Sequence, residues 1–309
     1  MHPFRFGVDL QNPFEGVSWL DTVREVEALG YSTLFVPDHF DEGLGPIAAI
    51  ASAAAVTTTV NVGTLVLDCD FRHPAVLARE LASVDVLSEG RLEVGVGAGW
   101  KSLDYQRSGI PMEAPKVRVD RMIEHTKVLK GLFADGPFSF TGDHYVITEL
   151  DGTPKPFRPG GPRFVIGGGG RRVLGFAGAV ADIVGVNASI HSGEIDAAAA
   201  QDSLPERIDE KVGWVRAGAG DRFDDLELNA WLAVAEVTET AGELAEVLAG
   251  VFETDAASVV ASPLTLIGSP TEIGERLRER RERWGYSYTV IPGDKARDFA
   301  PIVAALTGT

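Results

Sequence analysis

Two groups of residues in this chain combine types that do chemistry with positions at predicted strand ends. The first is Val36-Pro37-Asp38-His39-Phe40, which places an acid and an imidazole just past the apolar run at residues 33–37. A histidine beside a carboxylate can take up or release a proton at neutral pH. An isolated Asp-His pair also fits a histidine that only bonds a loop carbonyl, and it is the location beyond a strand that favours the chemical reading. The second group is Gly167-Gly168-Gly169-Gly170-Arg171-Arg172, between a predicted strand and the helical Val173-Leu174-Gly175-Phe176-Ala177. Backbone N–H groups free of side chains can point at an anion there, with the helix start and two guanidinium groups adding favourable charge. Glycine also serves plain tight turns, so it is the pairing with two arginines that carries the signal. The loop lacks the Gly-Lys-Ser/Thr ending of a Walker loop and is no dinucleotide fingerprint. Gly95-Val96-Gly97-Ala98-Gly99 comes fourth in strand order and leads into an irregular segment, unlike the opening of a Rossmann unit.

The elements that must hold these residues alternate. Strand-like runs occupy residues 4–9, 33–37, 60–67, 92–97, 164–167, 183–186, 228–237 and 288–292, which makes eight. Between them apolar residues recur at helical spacing, as in Leu20, Val23, Val26 and Leu29, in Leu77, Leu81, Val84 and Leu87, and in Val119, Ile123, Val128 and Leu132. Pro74 suits the first turn of one helix and Gly90 its end. Ser269-Pro270-Thr271-Glu272 has the form of a capping box, Ile273, Leu277 and Trp284 share a face, and Gly285 stops that helix. This pattern predicts an α/β fold, one (β/α)8 TIM-type barrel over residues 1–309, with its chemistry at the carboxyl ends of the strands. Two stretches exceed ordinary connections, residues 100–116 after the fourth strand and 136–162 before the fifth. The second holds a hairpin signal at Thr141-Gly142-Asp143, and both are expected to wall the pocket. Residues 187–204 are Ala-rich and weakly patterned, which predicts a loosely held segment.

Composition narrows the partners. With 45% hydrophobic residues in 309 the chain can fill a large core. A net charge of −17 argues against nucleic acid, which needs a basic face. The charge is uneven: residues 101–172 carry 12 Lys/Arg against 8 Asp/Glu, a basic island that suggests a small anionic ligand. The single cysteine, Cys69, gives neither a disulfide nor metal-ligand spacing, so no metal is expected and a reducing compartment is. Neither a signal-like start nor a run of eighteen apolar residues occurs, which predicts a cytoplasmic protein with no membrane partner.

Taken together, Val36-Pro37-Asp38-His39-Phe40, the stretch from Gly63-Thr64-Leu65-Val66 to Arg72-His73-Pro74, that from Leu87-Ser88-Glu89-Gly90-Arg91 to Gly99-Trp100, Arg163-Phe164-Val165-Ile166-Gly167-Gly168-Gly169-Gly170 and Gly268-Ser269-Pro270-Thr271-Glu272 resemble the bacterial luciferase-like monooxygenase superfamily. Within it they resemble the branch that uses the deazaflavin coenzyme F420. The resemblance implies a flavin-type cofactor across the barrel mouth, held by Asp38, Thr64, Leu65, Val66, Ala98, Gly99, Gly167, Gly168, Gly169, Gly170, Arg171 and Arg172. It also implies a cis peptide bond at Leu65–Val66, His39 as the catalytic proton-transfer group with Asp38 orienting the site, and Trp100 and Phe40 lining the substrate pocket. The sugar-phosphate dehydrogenases of this branch carry a Glu after the fourth-strand glycine, where this chain has Trp100. That departure points to an apolar or aromatic small-molecule substrate. Three readings follow: a coenzyme F420-dependent oxidoreductase, an FMN-dependent monooxygenase on the same fold, and a non-catalytic flavin-binding protein. The basic island favours the first, whose coenzyme carries an acidic tail that FMN lacks. A homodimer is compatible with each.

Overall fold

The computed structural model describes residues 1–309 except 42, 191, 192 and 194. Thirteen strands and twelve α-helices alternate along the described chain. The strands are β1 (Arg5–Asp9), β2 (Thr33–Val36), β3 (Asn61–Thr64), β4 (Leu67–Asp68), β5 (Leu92–Gly97), β6 (Phe138–Thr141), β7 (Val146–Leu150), β8 (Arg163–Gly168), β9 (Ile183–Val186), β10 (Glu227–Trp231), β11 (Val234–Val237), β12 (Thr265–Gly268) and β13 (Tyr286–Pro292). The helices are α1 (Trp19–Ala28), α2 (Pro46–Val56), α3 (Pro74–Leu87), α4 (Ser102–Ser108), α5 (Pro115–Phe133), α6 (Arg171–Val180), α7 (Ala197–Gln201), α8 (Pro205–Ala219), α9 (Ala241–Val251), α10 (Ala256–Ala261), α11 (Pro270–Trp284) and α12 (Ala296–Leu306). Parallel pairing runs β3-β2-β1-β13-β10-β9-β8-β5, and β3 pairs with β5, so eight strands close a barrel. No helix among the described residues is long and apolar enough to cross a membrane.

Alternation sorts the strand residues. Phe6, Val8, Leu34, Val36, Phe164, Ile166 and Val184 face outward into the core shared with the helices. Phe35, Val165, Ile183, Tyr288 and Val290 face inward. Space around Phe35 is provided by glycine: a Cβ on Gly7 would lie 3.1 Å from its ring, and one on Gly63 2.7 Å. The helix signals hold in place. Ser269 accepts from the Glu272 N–H, Glu272 accepts from the Ser269 N–H at 2.8 Å, and Gly285 turns left-handed at φ 88°. Such a cap is worth about 1 kcal/mol.

Four segments differ from the sequence expectation. The run at 60–67 is not one strand, since β3 ends at Thr64 and β4 takes up Leu67–Asp68. The run at 228–237 is two strands: β10 belongs to the barrel, whereas β11 leaves it to pair with β12, and α9 and α10 between them build a small apolar cluster of their own. Residues 100–116 are not irregular throughout, since they hold α4, closed by Gly109 at φ 74°. Within 187–204, whose residues 191, 192 and 194 lie outside the described residues, the two ends are anchored. Buried Lys211 donates to Asn187 O at 2.8 Å and to Asp202 Oδ2 at 2.6 Å, and Asp202 also accepts from Ser189 N at 2.8 Å. The hairpin β6–β7 forms where its turn signal stands.

The amino end of the barrel is filled by charge. Arg5 donates to Glu93 at 2.7 Å and, through two nitrogens, to Glu227 at 2.7 and 2.8 Å. Arg163 pairs with Glu227, Tyr288 donates to Glu93 at 3.0 Å, and the Arg5 guanidinium lies 3.6 Å from the Tyr288 ring centroid. Burial alone would raise the Glu227 carboxyl, but the bonds and charge of Arg5 and Arg163 hold it below the usual carboxylate range. Removing one member of such a set leaves charge buried without its partner. Arg5→Met is therefore expected to cost about 3–5 kcal/mol of stability in urea unfolding at pH 7. Because the Glu227 carboxyl is depressed, its contribution is present above its unfolded pKa and fades as pH falls, so the gap between wild type and variant should narrow in acid. A loss under about 1 kcal/mol at pH 7 would show that Arg5 does not hold the base.

Candidate active site

At the opposite, carboxyl end the strand tips carry the polar groups. Along β1 the inward column is Arg5, Gly7 and Asp9, so Asp9 stands at the mouth. Trp231, at the tip of β10, donates its indole N–H to Asp9 Oδ2 at 2.9 Å, while Asp9 Oδ1 is buried without a partner among the described residues. Burial pushes the Asp9 carboxyl up to about 6, against the lowering effects of the Trp231 bond and of the nearby His39.

His39 follows β2 and its Nδ1 lies 2.6 Å from Asp104 Oδ2. The other Asp104 oxygen accepts from the Phe40 N–H at 3.1 Å, and Asp104 is 3% exposed on α4. Trp100 sets the ring from the side, edge to face at 5.6 Å between centroids. Asp38, next in the chain, does not bond His39. Its two oxygens accept from Arg72 at 2.5 and 3.1 Å, and Oδ2 also accepts from the Asp68 N–H at 3.1 Å. Phe40 is 54% exposed and packs on Phe71 at 4.8 Å. Asp41 pairs with Lys101 on the rim.

One wall is formed by β3, β4 and β5. The Leu65–Val66 peptide bond is cis, as the family resemblance implies. Leu65 packs against the inward cluster, and Val66 presses on Gly97, where a Cβ would lie 2.6 Å from its Cγ2. The Thr64 hydroxyl is used between strands, donating to Gly95 O and accepting from Gly95 N, both at 3.0 Å. Arg118 of α5 donates to the carbonyls of Ala98 and Gly99 at 3.4 and 2.7 Å. Gly99 has φ 68°, and a Cβ there would meet the Tyr105 hydroxyl at 1.8 Å. Tyr105 in turn donates to Asp68 at 2.7 Å and reaches Asp70 at 2.9 Å. Burial raises the Asp68 carboxyl to about 6. Asp68, Cys69 and Asp70 bring ligand-type atoms within 4.8 Å of one another, but the carboxylates already accept from Tyr105, the Asp70 N–H and Arg121.

The four glycines divide by environment. Gly167 lies near Asn187, Gly168 under Val173, and a Cβ on Gly169 would meet Ser189 N at 2.3 Å. Gly170 has nothing within 4 Å of its Cβ position and caps α6 without a side-chain bond, and Gly170, Arg171 and Arg172 are all exposed, so this helix begins at the surface. Arg171 is exposed and makes no ion pair among the described residues, whereas Arg172 turns to Asp120 on α5. The basic island is dispersed in the same way. Lys116 pairs with Asp120, Arg121 with Asp70 and Glu113, Lys155 with Asp151, and Arg163 lies at the far end of the barrel.

Sequence reasoning reached His39, Asp38, Trp100 and the glycine loop but missed Asp104, Asp9, Trp231, Arg72 and Tyr105. Asp9 had a signal, a carboxylate closing an apolar strand at what becomes the barrel mouth. Asp104 had little: its partner is 65 residues away and its helix has seven residues.

A closed parallel barrel with polar groups gathered at the carboxyl ends of its strands defines an α/β-barrel protein of the TIM type. Residues 2–288 match the family described as luciferase-like monooxygenase, and the chain belongs to that family. The F420-dependent glucose-6-phosphate dehydrogenase of Amycolatopsis mediterranei (strain U-32) is 32% identical over 164 residues, which cover 50% of this chain and 49% of that protein. The chain thus spans about half the length of the curated relatives it matches. Among solved structures, the coenzyme F420-dependent tetrahydromethanopterin reductase of Methanopyrus kandleri superposes with TM-score 0.75 at 17% identity over 99% of this chain and 98% of that one. The EDTA monooxygenase of Chelativorans sp. BNC1 gives TM-score 0.74 at 14% identity over 98% and 94%. These likenesses establish the fold.

The raised Asp9 carboxyl has a consequence for stability. Between about pH 4 and pH 6 the folded protein holds a proton on Asp9 that the unfolded chain has lost, so this group reduces stability as pH rises through that window. Asp9→Asn should remove the penalty, making the variant about 1–2 kcal/mol more stable than wild type at pH 7.5 and equal to it near pH 4. Thermal or urea unfolding at both pH values measures this, and a variant less stable at pH 7.5 would place a compensating partner on Oδ1.

Proposed function

We propose that this protein is a coenzyme F420-dependent oxidoreductase acting on a small apolar or aromatic substrate, with His39 moving the proton. The observation that carries the reading is His39 itself, fixed by a buried carboxylate at 2.6 Å and flanked by Trp100 at the mouth of a barrel whose other end is filled. The exposed start of α6 at Gly170, and Arg171, which makes no ion pair among the described residues, fit the phosphate of a flavin-type coenzyme, and the wall at Leu65–Val66 fits a flat ring. When bound, the deazaflavin accepts or supplies a hydride. The chain's own part is to take a proton from, or return one to, the substrate oxygen through His39, and to shield the site with the indoles of Trp100 and Trp231. Trp100 brings apolar surface rather than charge to the substrate side, which supports an apolar or aromatic substrate over a sugar phosphate.

An FMN-dependent monooxygenase is the second reading, favoured by the monooxygenases that share the fold. Dispersal of the basic island leaves the coenzyme choice resting on the F420-dependent relatives and on Arg171. Titration of the purified protein with each cofactor, followed by tryptophan fluorescence, should show tighter binding of F420. FMN bound at least as tightly would give the lead to the monooxygenase reading.

Two variants separate binding from chemistry. Gly170→Val adds a side chain into open space and should weaken cofactor binding about tenfold or more with the unfolding midpoint unchanged; unaltered affinity would place the phosphate elsewhere. His39→Ala should lower turnover about 10²–10⁴-fold on any alcohol or aromatic substrate found, with cofactor affinity nearly unchanged. A folded, loaded variant with wild-type turnover would assign the proton to another group.

A further inference from the structure

We infer that Asp104, not Asp38, is the residue that positions His39 and fixes its tautomer, so that Nδ1 carries the hydrogen and Nε2 presents its lone pair to the substrate. This rests on the proposed role of His39 and deepens it. A carboxylate oxygen only accepts, so at 2.6 Å the His39 Nδ1 must donate to Asp104 Oδ2. Asp104 cannot swing away easily, because its second oxygen is taken by the Phe40 N–H and the residue is enclosed on α4. Tyr105, its neighbour on α4, is locked against Asp68 and Asp70, which holds the helix itself in place. Asp38 is committed to Arg72 and to the Asp68 N–H, and makes no bond to the ring.

Such a carboxylate–histidine pair keeps the reacting nitrogen aimed outward, as in hydrolase triads. For a substrate alcohol the atoms balance directly. A bound oxidised deazaflavin would supply the hydride acceptor, His39 Nε2 would take the hydroxyl proton, and the C–O bond would become a carbonyl. The arrangement thus favours substrates with a hydroxyl on the carbon that loses hydride. Charged groups facing His39 are Asp104 from α4, Asp9 from β1 and the Asp41–Lys101 pair on the rim.

The test needs neither cofactor nor substrate. Nitrogen-15 NMR of the imidazoles in the ligand-free full chain, with the His39 signals assigned by His39→Gln, should show Nδ1 as the protonated nitrogen and Nε2 as the lone-pair nitrogen of the neutral ring. Asp104→Asn, nearly isosteric, should reverse that assignment. Asp38→Asn should leave it unchanged. Nε2 protonated in wild type, or an Asp104→Asn variant with the wild-type tautomer, would overturn the assignment, as would an Asp38→Asn variant that reverses the tautomer. If the variant lost its fold, Asp104→Glu supplies the second arm: it keeps the carboxylate and should retain the wild-type tautomer, and a reversed tautomer there would count against Asp104. Failure of coenzyme F420 to bind would sink the proposed function while leaving this outcome readable.

Discussion

Four charged side chains packed inside one end of a parallel barrel constrain everything else in this molecule. Arg5, Glu93, Arg163 and Glu227 come from four different strands, and each is stable out of water only because the others complete its hydrogen bonds. Once that end is filled, Phe35 and Tyr288 can pack in the next layer, and the glycines at 7 and 63 are what leave room for the Phe35 ring. A ligand bound inside the barrel must then enter at the carboxyl end, where the strand tips turn polar. The base therefore decides the location of the site without contributing an atom to it.

At the mouth the governing element is α4. Its seven residues are too few for a stable isolated helix, yet two consecutive side chains on it, Asp104 and Tyr105, are buried and each ends in a hydrogen bond to a different part of the site. Asp104 reaches His39 on the β2 side, and Tyr105 reaches Asp68 on the β4 side. Asp68 passes the constraint to Asp38 through its N–H, and Asp38 to Arg72. His39 and the wall around Leu65–Val66 are thus held by one short helix whose tertiary bonds supply the stability that its length does not.

Much of this was legible in the sequence where a local pattern carries the information. Six of the eight barrel strands lie within two residues of the apolar runs at both ends, because inward and outward faces are both apolar and the flanking helices announce themselves by caps such as Ser269 to Glu272. The run at 228–237 reads as one strand because its apolar character continues across the point where β11 leaves the barrel, and no propensity scale registers a change of pairing partner. Residues that act by long-range pairing left no local trace. Arg5 and Glu227 meet across 222 residues, and the basic island at 101–172 loses its meaning once Lys116, Arg121, Lys155 and Arg163 are seen to point at different carboxylates.

The Asp38-His39 pair shows how adjacency in sequence can mislead about partnership in space. Just past a strand tip, consecutive side chains still point in different directions, so an acid directly before a histidine is poorly placed to bond its ring. Here one side chain turns to Arg72 and the other to Asp104. The two carboxylates consequently do different work: one neutralises the Arg72 guanidinium, and the other holds the His39 imidazole at the mouth. Which partner each member of such a dipeptide takes is set by the element its side chain happens to face, not by the neighbour it has in sequence.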